Sequence, residues 1–151
     1  MRQSVIVLSI MFLINVSCNT YPNNNKSKAP LTEQELKQQL RNKECSQATK
    51  YLDGTLSRTP IFKNALSLKV KGVKLNFKIQ NNATIATYKD VKIKLIGKSK
   101  TGANVIVKDI NIYDFFSPGI RVNYKTEIKI SNQNYKDIQK FTWTISNANC
   151  K

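Results

Sequence analysis

The 151-residue chain contains no histidine. That absence removes Ser-His and Cys-His catalytic arrangements and the usual zinc ligand sets. Its five glycines are scattered among expected turns, so no glycine-rich phosphate cradle forms. Acidic residues number nine against twenty-five basic ones. Four of the nine fall in the front segment. Asp90, Asp109, Asp114, Glu127 and Asp137 are spread so that no spacing singles out a glycosidase-type pair. The three cysteines include no Cys-x-x-Cys pair, which argues against a metal site. Beyond residue 18 no apolar run approaches the ~20 residues of a membrane-spanning helix. No cofactor, metal or catalytic residue is therefore expected, and a non-catalytic role leads. A small hydrolase acting on envelope polymer is the alternative.

What is present begins with Met1-Arg2-Gln3, an apolar run from Val5 to Ile14, and Ser17 before Cys18. A basic start, a short apolar core and a small residue describe an export signal. A cysteine directly after the cut predicts a bacterial lipoprotein signal over residues 1–18, with Cys18 carrying the lipid. Ordinary secretion, leaving Cys18 as a plain thiol, is the alternative. Residues 19–29 are rich in Asn, Ser and Lys and cannot bury apolar surface, which suits a disordered tether. The expected location is extracytoplasmic and membrane-anchored, on the outer membrane or cell surface.

Two cysteines remain in the body, Cys45 and Cys150. In an exported chain an even pair predicts a disulfide, with free thiols as the alternative. The bond would clamp the front of the fold to its end.

The net charge of +16 invites a nucleic-acid reading. Arginine, the residue of forked phosphate and base contacts, is nearly absent beyond Arg41, Arg58 and Arg121. Lysine instead accompanies abundant Asn and Ile, so no nucleic-acid partner is expected. An anionic lipid, polysaccharide or acidic protein fits the charge better.

Residues 30–54 are expected to form one helix docked on the domain. Thr32 and Glu35 make a capping box, Leu31 and Leu36 a hydrophobic staple, and Asp53-Gly54 the stop. Leu36, Leu40, Ala48, Tyr51 and Leu52 recur at near-helical spacing, with Cys45 beside them. Residues 55–151 are expected to form the β domain. Ser57 to Asn64 suggests a short edge strand. From Ala65 the period is two: Leu68 and Val70, then a phase slip at Gly72, then Val73, Leu75, Phe77 and Ile79. Further strands are expected over 88–96, 104–113, 120–130 and 141–150. Turns are expected at 81–83, 98–102, 117–119 and 133–136. The inward set continues through Val91, Ile93, Leu95, Val122, Tyr124, Ile128, Ile130, Phe141, Trp143 and Ile145. Alternating strands joined by short turns predict a mainly β fold, an antiparallel Ig-like β-sandwich preceded by one N-terminal helix. Phe115 and Phe116 are both expected to plug its end, with exposure of one as the alternative.

Within residues 77–130, Asn81-Asn82 ends a strand, and Tyr88-Lys89-Asp90-Val91-Lys92-Ile93-Lys94-Leu95 follows. Lys100-Thr101-Gly102-Ala103-Asn104-Val105-Ile106 makes a hairpin, and Phe116-Ser117-Pro118-Gly119 a Pro-Gly turn. This segment resembles bacterial FxLYD-type domains, Ig-like sandwiches of exported proteins. Leu95-Ile96-Gly97 stands where that family has Leu-Tyr-Asp. The resemblance implies an accessory or binding module and no catalytic residues.

The visible surface feature is lysine at outward positions: Lys69, Lys71, Lys74 and Lys78, then Lys92 and Lys94, then Lys125 and Lys129. If these strands adjoin, one face becomes a basic comb able to contact an anionic surface, as an adhesin would. A solvated face that discourages edge-to-edge aggregation is the alternative. The sequence thus predicts a lipid-anchored, non-catalytic binding or structural module of the cell envelope.

Overall fold

The computed structural model describes residues 30–151. The predicted signal, Cys18 and the tether lie outside the described residues. Two short helices, α1 (Glu33–Ser46) and α2 (Ala48–Tyr51), lead directly into strand β1 (Leu52–Phe62). There follow β2 (Val70–Asn81), β3 (Tyr88–Lys98), β4 (Asn104–Phe116), β5 (Arg121–Lys129), helix α3 (Asn132–Asp137) and β6 (Lys140–Cys150).

The strands form two three-stranded antiparallel sheets, ordered β1-β2-β5 and β4-β3-β6. That order is strands A-B-E and C′-C-F of an Ig-like sandwich. The predicted alternation places the core. Val73, Leu75, Phe77 and Ile79 of the first sheet and Val91, Ile93 and Leu95 of the second are buried in one cluster. Each such side chain contributes ~1.5–3 kcal/mol by leaving water. Across the layers Phe77 meets Trp143 edge-to-face, with ring centroids 5.7 Å apart. Val122, Tyr124, Ile128, Phe141 and Ile145 pack half-buried around this centre. The phase slip falls where Gly72 predicts it: Ile61 pairs with Gly72 but Phe62 with Val70, so Lys71 is the extra residue of a bulge.

Several expectations are corrected. The single front helix expected over 30–54 is two, α1 and α2, broken at Gln47 and ending at Tyr51 rather than Gly54, and the short edge strand is an eleven-residue strand starting at Leu52. Pairing decides this: Leu52 through Ile61 stays in continuous register with Asn81 through Gly72. Asp53-Gly54 is therefore not a helix stop. Gly54 sits where a Cβ would run into the Lys78 carbonyl of β2, so the position needs a residue without one. The capping box at Thr32 and Glu35 is present, but the staple residues Leu31 and Leu36 both stay about half exposed; the apolar stripe seats through its later part, with Ala48 and Leu52 buried in the core and Tyr51 packed against it. Leu68, read as inward, is 90% exposed in the loop between β1 and β2, where Leu66 is 98% exposed. The turn expected at 133–136 is the one-and-a-half-turn helix α3, capped by Ser131. Phe116 is fully buried, whereas Phe115 faces outward beneath the Lys151 ammonium, 4.9 Å from its ring centre.

Candidate functional site

Two fastenings hold α1 to the sandwich. The first is the predicted disulfide. Cys45 in the last turn of α1 joins Cys150 at the end of β6 across 105 residues, with Cα atoms 5.4 Å apart. The second was not legible. Glu44, only 1% exposed, accepts backbone N–H bonds from Thr84 (2.7 Å), Ile85 (3.0 Å) and Ala86 (2.8 Å) in the loop between β2 and β3. Its backbone carbonyl accepts the Tyr88 hydroxyl at 2.9 Å. Burial alone pushes the Glu44 carboxyl up, but the N–H bonds from Thr84, Ala86 and Ile85 together outweigh it and hold the group below its ordinary value. Burial, followed by the Glu44 and Tyr51 charges, pushes the Tyr88 phenol up to about 12. Arg41 adds a bond from its guanidinium to the Lys151 carbonyl. Nothing in the composition separates Glu44 from Glu33 or Glu35. The one usable signal is its neighbour: a cysteine bonded to the far end of the chain must bring its own turn of helix against the body.

The lysine comb is divided by the topology. β2 and β5 are neighbours, so Lys74, Lys78, Lys125 and Lys129 share the outer face of the first sheet. Lys71, at the bulge, lies at the end of that face. β3 belongs to the other sheet, so Lys92 and Lys94 project from the opposite side of the sandwich. Lys69 lies in the loop before β2. The single-face comb over all eight lysines is thus corrected to five on one face.

That face has a shape that sequence alone did not suggest. Three shallow depressions follow one another along it. At one end the lining includes Asp53, Thr55, Lys78 and Arg121. The middle one, about 480 Å³, is lined by Ser57, Thr59, Lys74, Asn76, Lys125 and Glu127. At the other end lie Ile61, Lys71, Gly72 and Lys129. Short hydroxyl and amide side chains make the floor and long cationic ones the walls, because β1 contributes Thr55, Ser57 and Thr59 at its outward positions. In the middle Asn76 lies between Ser57 and Lys125 in the register, and its buried Oδ1 has no hydrogen-bond partner. Buried acceptors are nearly always satisfied, so an unmet one on a groove floor suits a ligand hydroxyl or amide donor. Two carboxylates share the face, Asp53 and Glu127. Glu127 pairs with Lys74 at 3.5 Å, both groups being largely exposed, so the pair contributes little to stability.

The remaining strand carboxylates are dispersed. Asp109 pairs with Lys92 at 3.5 Å on the second sheet, and Asp90 accepts from Asn149 at 3.2 Å. Asp114 accepts the Phe115 N–H, and Asp137 the Gln133 amide. Among the described residues no group of three or more His, Cys, Asp or Glu side chains is placed to hold a metal ion. No helix among them is long and apolar enough to cross a membrane.

Compared with protein-family models, curated proteins and solved structures, the chain matches none.

Proposed function

We propose that the chain is a lipid-anchored, extracytoplasmic, non-catalytic binding module of the bacterial cell envelope, of the FxLYD-like kind, and that its ligand is an acidic polysaccharide held on the outer face of the β1-β2-β5 sheet. The observation that carries this reading is the grooved face itself. Six cationic side chains (Lys71, Lys74, Lys78, Arg121, Lys125 and Lys129) stand over a floor of hydroxyls and the unmet Asn76 acceptor. Cations alone would suit any anion. The polar floor adds hydrogen-bonding groups for a ligand rich in hydroxyls. Lysines supply charge without fixed geometry, as fits a polymer bound in many registers. The disulfide and the export signal support an oxidising compartment. The dispersal of the strand carboxylates supports a binding role over hydrolysis.

The test is binding of the chain from Asn19 to Lys151 to immobilised acidic and neutral polysaccharides across a salt series. The acidic polymer should be retained at low salt and released as salt rises through the range in which exposed charges are screened. Lys74→Gln with Lys125→Gln should weaken retention about tenfold, while the same pair at Lys92 and Lys94 should change it less than about twofold. Equal losses from the two faces would contradict the assignment. Cleavage of the polymer during incubation would favour the hydrolase reading.

A further inference from the structure

The end of the sandwich opposite α1 carries the most exposed apolar side chains among the described residues. The loop from β1 to β2 holds Leu66 at 98% exposure, Leu68 at 90%, and Phe62 at 44% at its base. The loop is not shapeless: the Lys63 N–H bonds the Lys69 carbonyl at 3.0 Å, and Ser67 bonds Asn64 at 3.1 Å, so the two leucines are presented on a closed turn. Solvating two leucines completely is unfavourable, and side chains so placed on a soluble domain mark a contact surface.

The surroundings say what kind. Helix α3 ties three segments together at this end. Asn132 accepts the Val70 N–H at 3.0 Å, and the Gln139 N–H bonds the Lys98 carbonyl at 2.9 Å. The β1–β2 loop, the β3–β4 hairpin and the end of β5 therefore project together. They carry the exposed lysines Lys63, Lys69, Lys71, Lys100, Lys129 and Lys136. Two carboxylates lie in or beside these segments, Asp137, which accepts from the Gln133 amide, and Glu127, which pairs with Lys74 at 3.5 Å, so the lysines leave this end cationic. A convex apolar tip inside a ring of lysines is complementary to an anionic bilayer: headgroups meet the ammonium groups, and the leucines reach the acyl boundary while lysine stems snorkel. Protein–protein contact patches are enriched in aromatics and arginine and depleted of lysine, whereas this tip is ringed with lysine.

We propose that this end docks on anionic lipid headgroups, with Leu66 and Leu68 inserted. The surface adjoins the polysaccharide face and shares Lys71 and Lys129 with it, but its leucines lie outside that face, and the inference depends neither on polysaccharide binding nor on lipidation at Cys18. The probe is vesicles of phosphatidylcholine alone or mixed with phosphatidylglycerol, sedimented with the unlipidated chain from Asn19 to Lys151. The chain should partition onto the mixed vesicles and not the neutral ones. Leu66→Ser with Leu68→Ser should reduce partition about tenfold without moving the thermal midpoint, since neither side chain is in the core. Lys74→Gln with Lys125→Gln should leave it unchanged. A Leu66→Trp reporter, read as the difference from the native Trp143 signal, should shift to the blue on mixed vesicles only. Failure of the native chain to sediment with mixed vesicles, or equal partition of the leucine variant, overturns the proposal. A leucine-dependent dimer in sedimentation velocity, in place of vesicle binding, would assign the tip to a second copy and also overturn it.

Discussion

Glu44→Ala lowers the unfolding free energy by about 3–5 kcal/mol, measured by urea unfolding at neutral pH. The size follows from what is left behind. The Thr84, Ile85 and Ala86 N–H groups all point at one buried carboxylate, and an alanine methyl offers them nothing. A hydrogen bond to a charged group contributes ~1.5–3 kcal/mol, and a buried donor without a partner costs about as much again. Whole domains are stable by only ~5–15 kcal/mol, so this single carboxylate accounts for a large share. Glu44→Gln retains the shape but turns an amide N–H₂ toward the backbone donors, and should fall between the two. The pH dependence has a definite sign. The native carboxyl is held below its ordinary value of 4.5, so the folded state binds this proton less readily than the unfolded chain. The stabilisation is fully present above pH 4.5 and is lost as the pH falls through the lowered native value. Glu44→Gln should therefore flatten the acid limb of the stability curve. A variant as stable as the native chain, with an unchanged acid limb, would show that water satisfies the three donors equally well.

Loss of the Cys45–Cys150 bond is the second large effect. A closed loop of roughly 100 residues restricts the unfolded chain by up to about 4.7 kcal/mol on entropic grounds. The bond spans 105 residues, so Cys45→Ser with Cys150→Ser should lose about 3–5 kcal/mol. The local consequence is more specific than the global one. The carboxylate and the disulfide occupy adjacent residues and fasten the same turn of helix, so their effects should not add. In a double-mutant cycle, removing both should cost less than the two single losses combined, because once α1 has left the body the second fastening has nothing to hold. Amide exchange at residues 84–86 should rise first in either variant. Strict additivity would mean that helix and sandwich are not fastened through this one turn.

The sandwich was largely legible because its central strands are two-faced. Val73 to Ile79 and Val91 to Leu95 alternate cleanly, and such alternation has one physical meaning when one side is buried. β1 was half hidden because it lacks that pattern. Its inward positions include Gly54, Arg58 and Pro60, and its outward ones Thr55, Ser57 and Thr59. Its place is decided by pairing with β2, not by its own apolar residues. Leu68 misled because the alternation runs on into the loop, although the ladder begins only at Val70. The lysines were legible one strand at a time, but whether β3 lies beside β2 is a question of topology, and local periodicity is silent on it. The Glu44 clamp was the least visible feature. It depends on three backbone amides forty residues away, and backbone groups leave no trace in composition.

The groove and its Asn76 acceptor illustrate the same limit. Outward Thr, Ser and Asn are ordinary solvent-facing residues until β1, β2 and β5 align their short side chains into a channel between lysines. The resemblance read from the sequence carried no site residues, so the proposed ligand site rests on the grooved face alone.

Export and anchoring underlie the proposed function, and intact-mass analysis of the chain purified from its native membrane fraction tests them together. The account predicts a polypeptide beginning at Cys18 with the added mass of a lipid, whose Cys45 and Cys150 take up alkylating reagent only after reduction. A chain retaining Met1, without lipid and with both thiols open to alkylation, would contradict it.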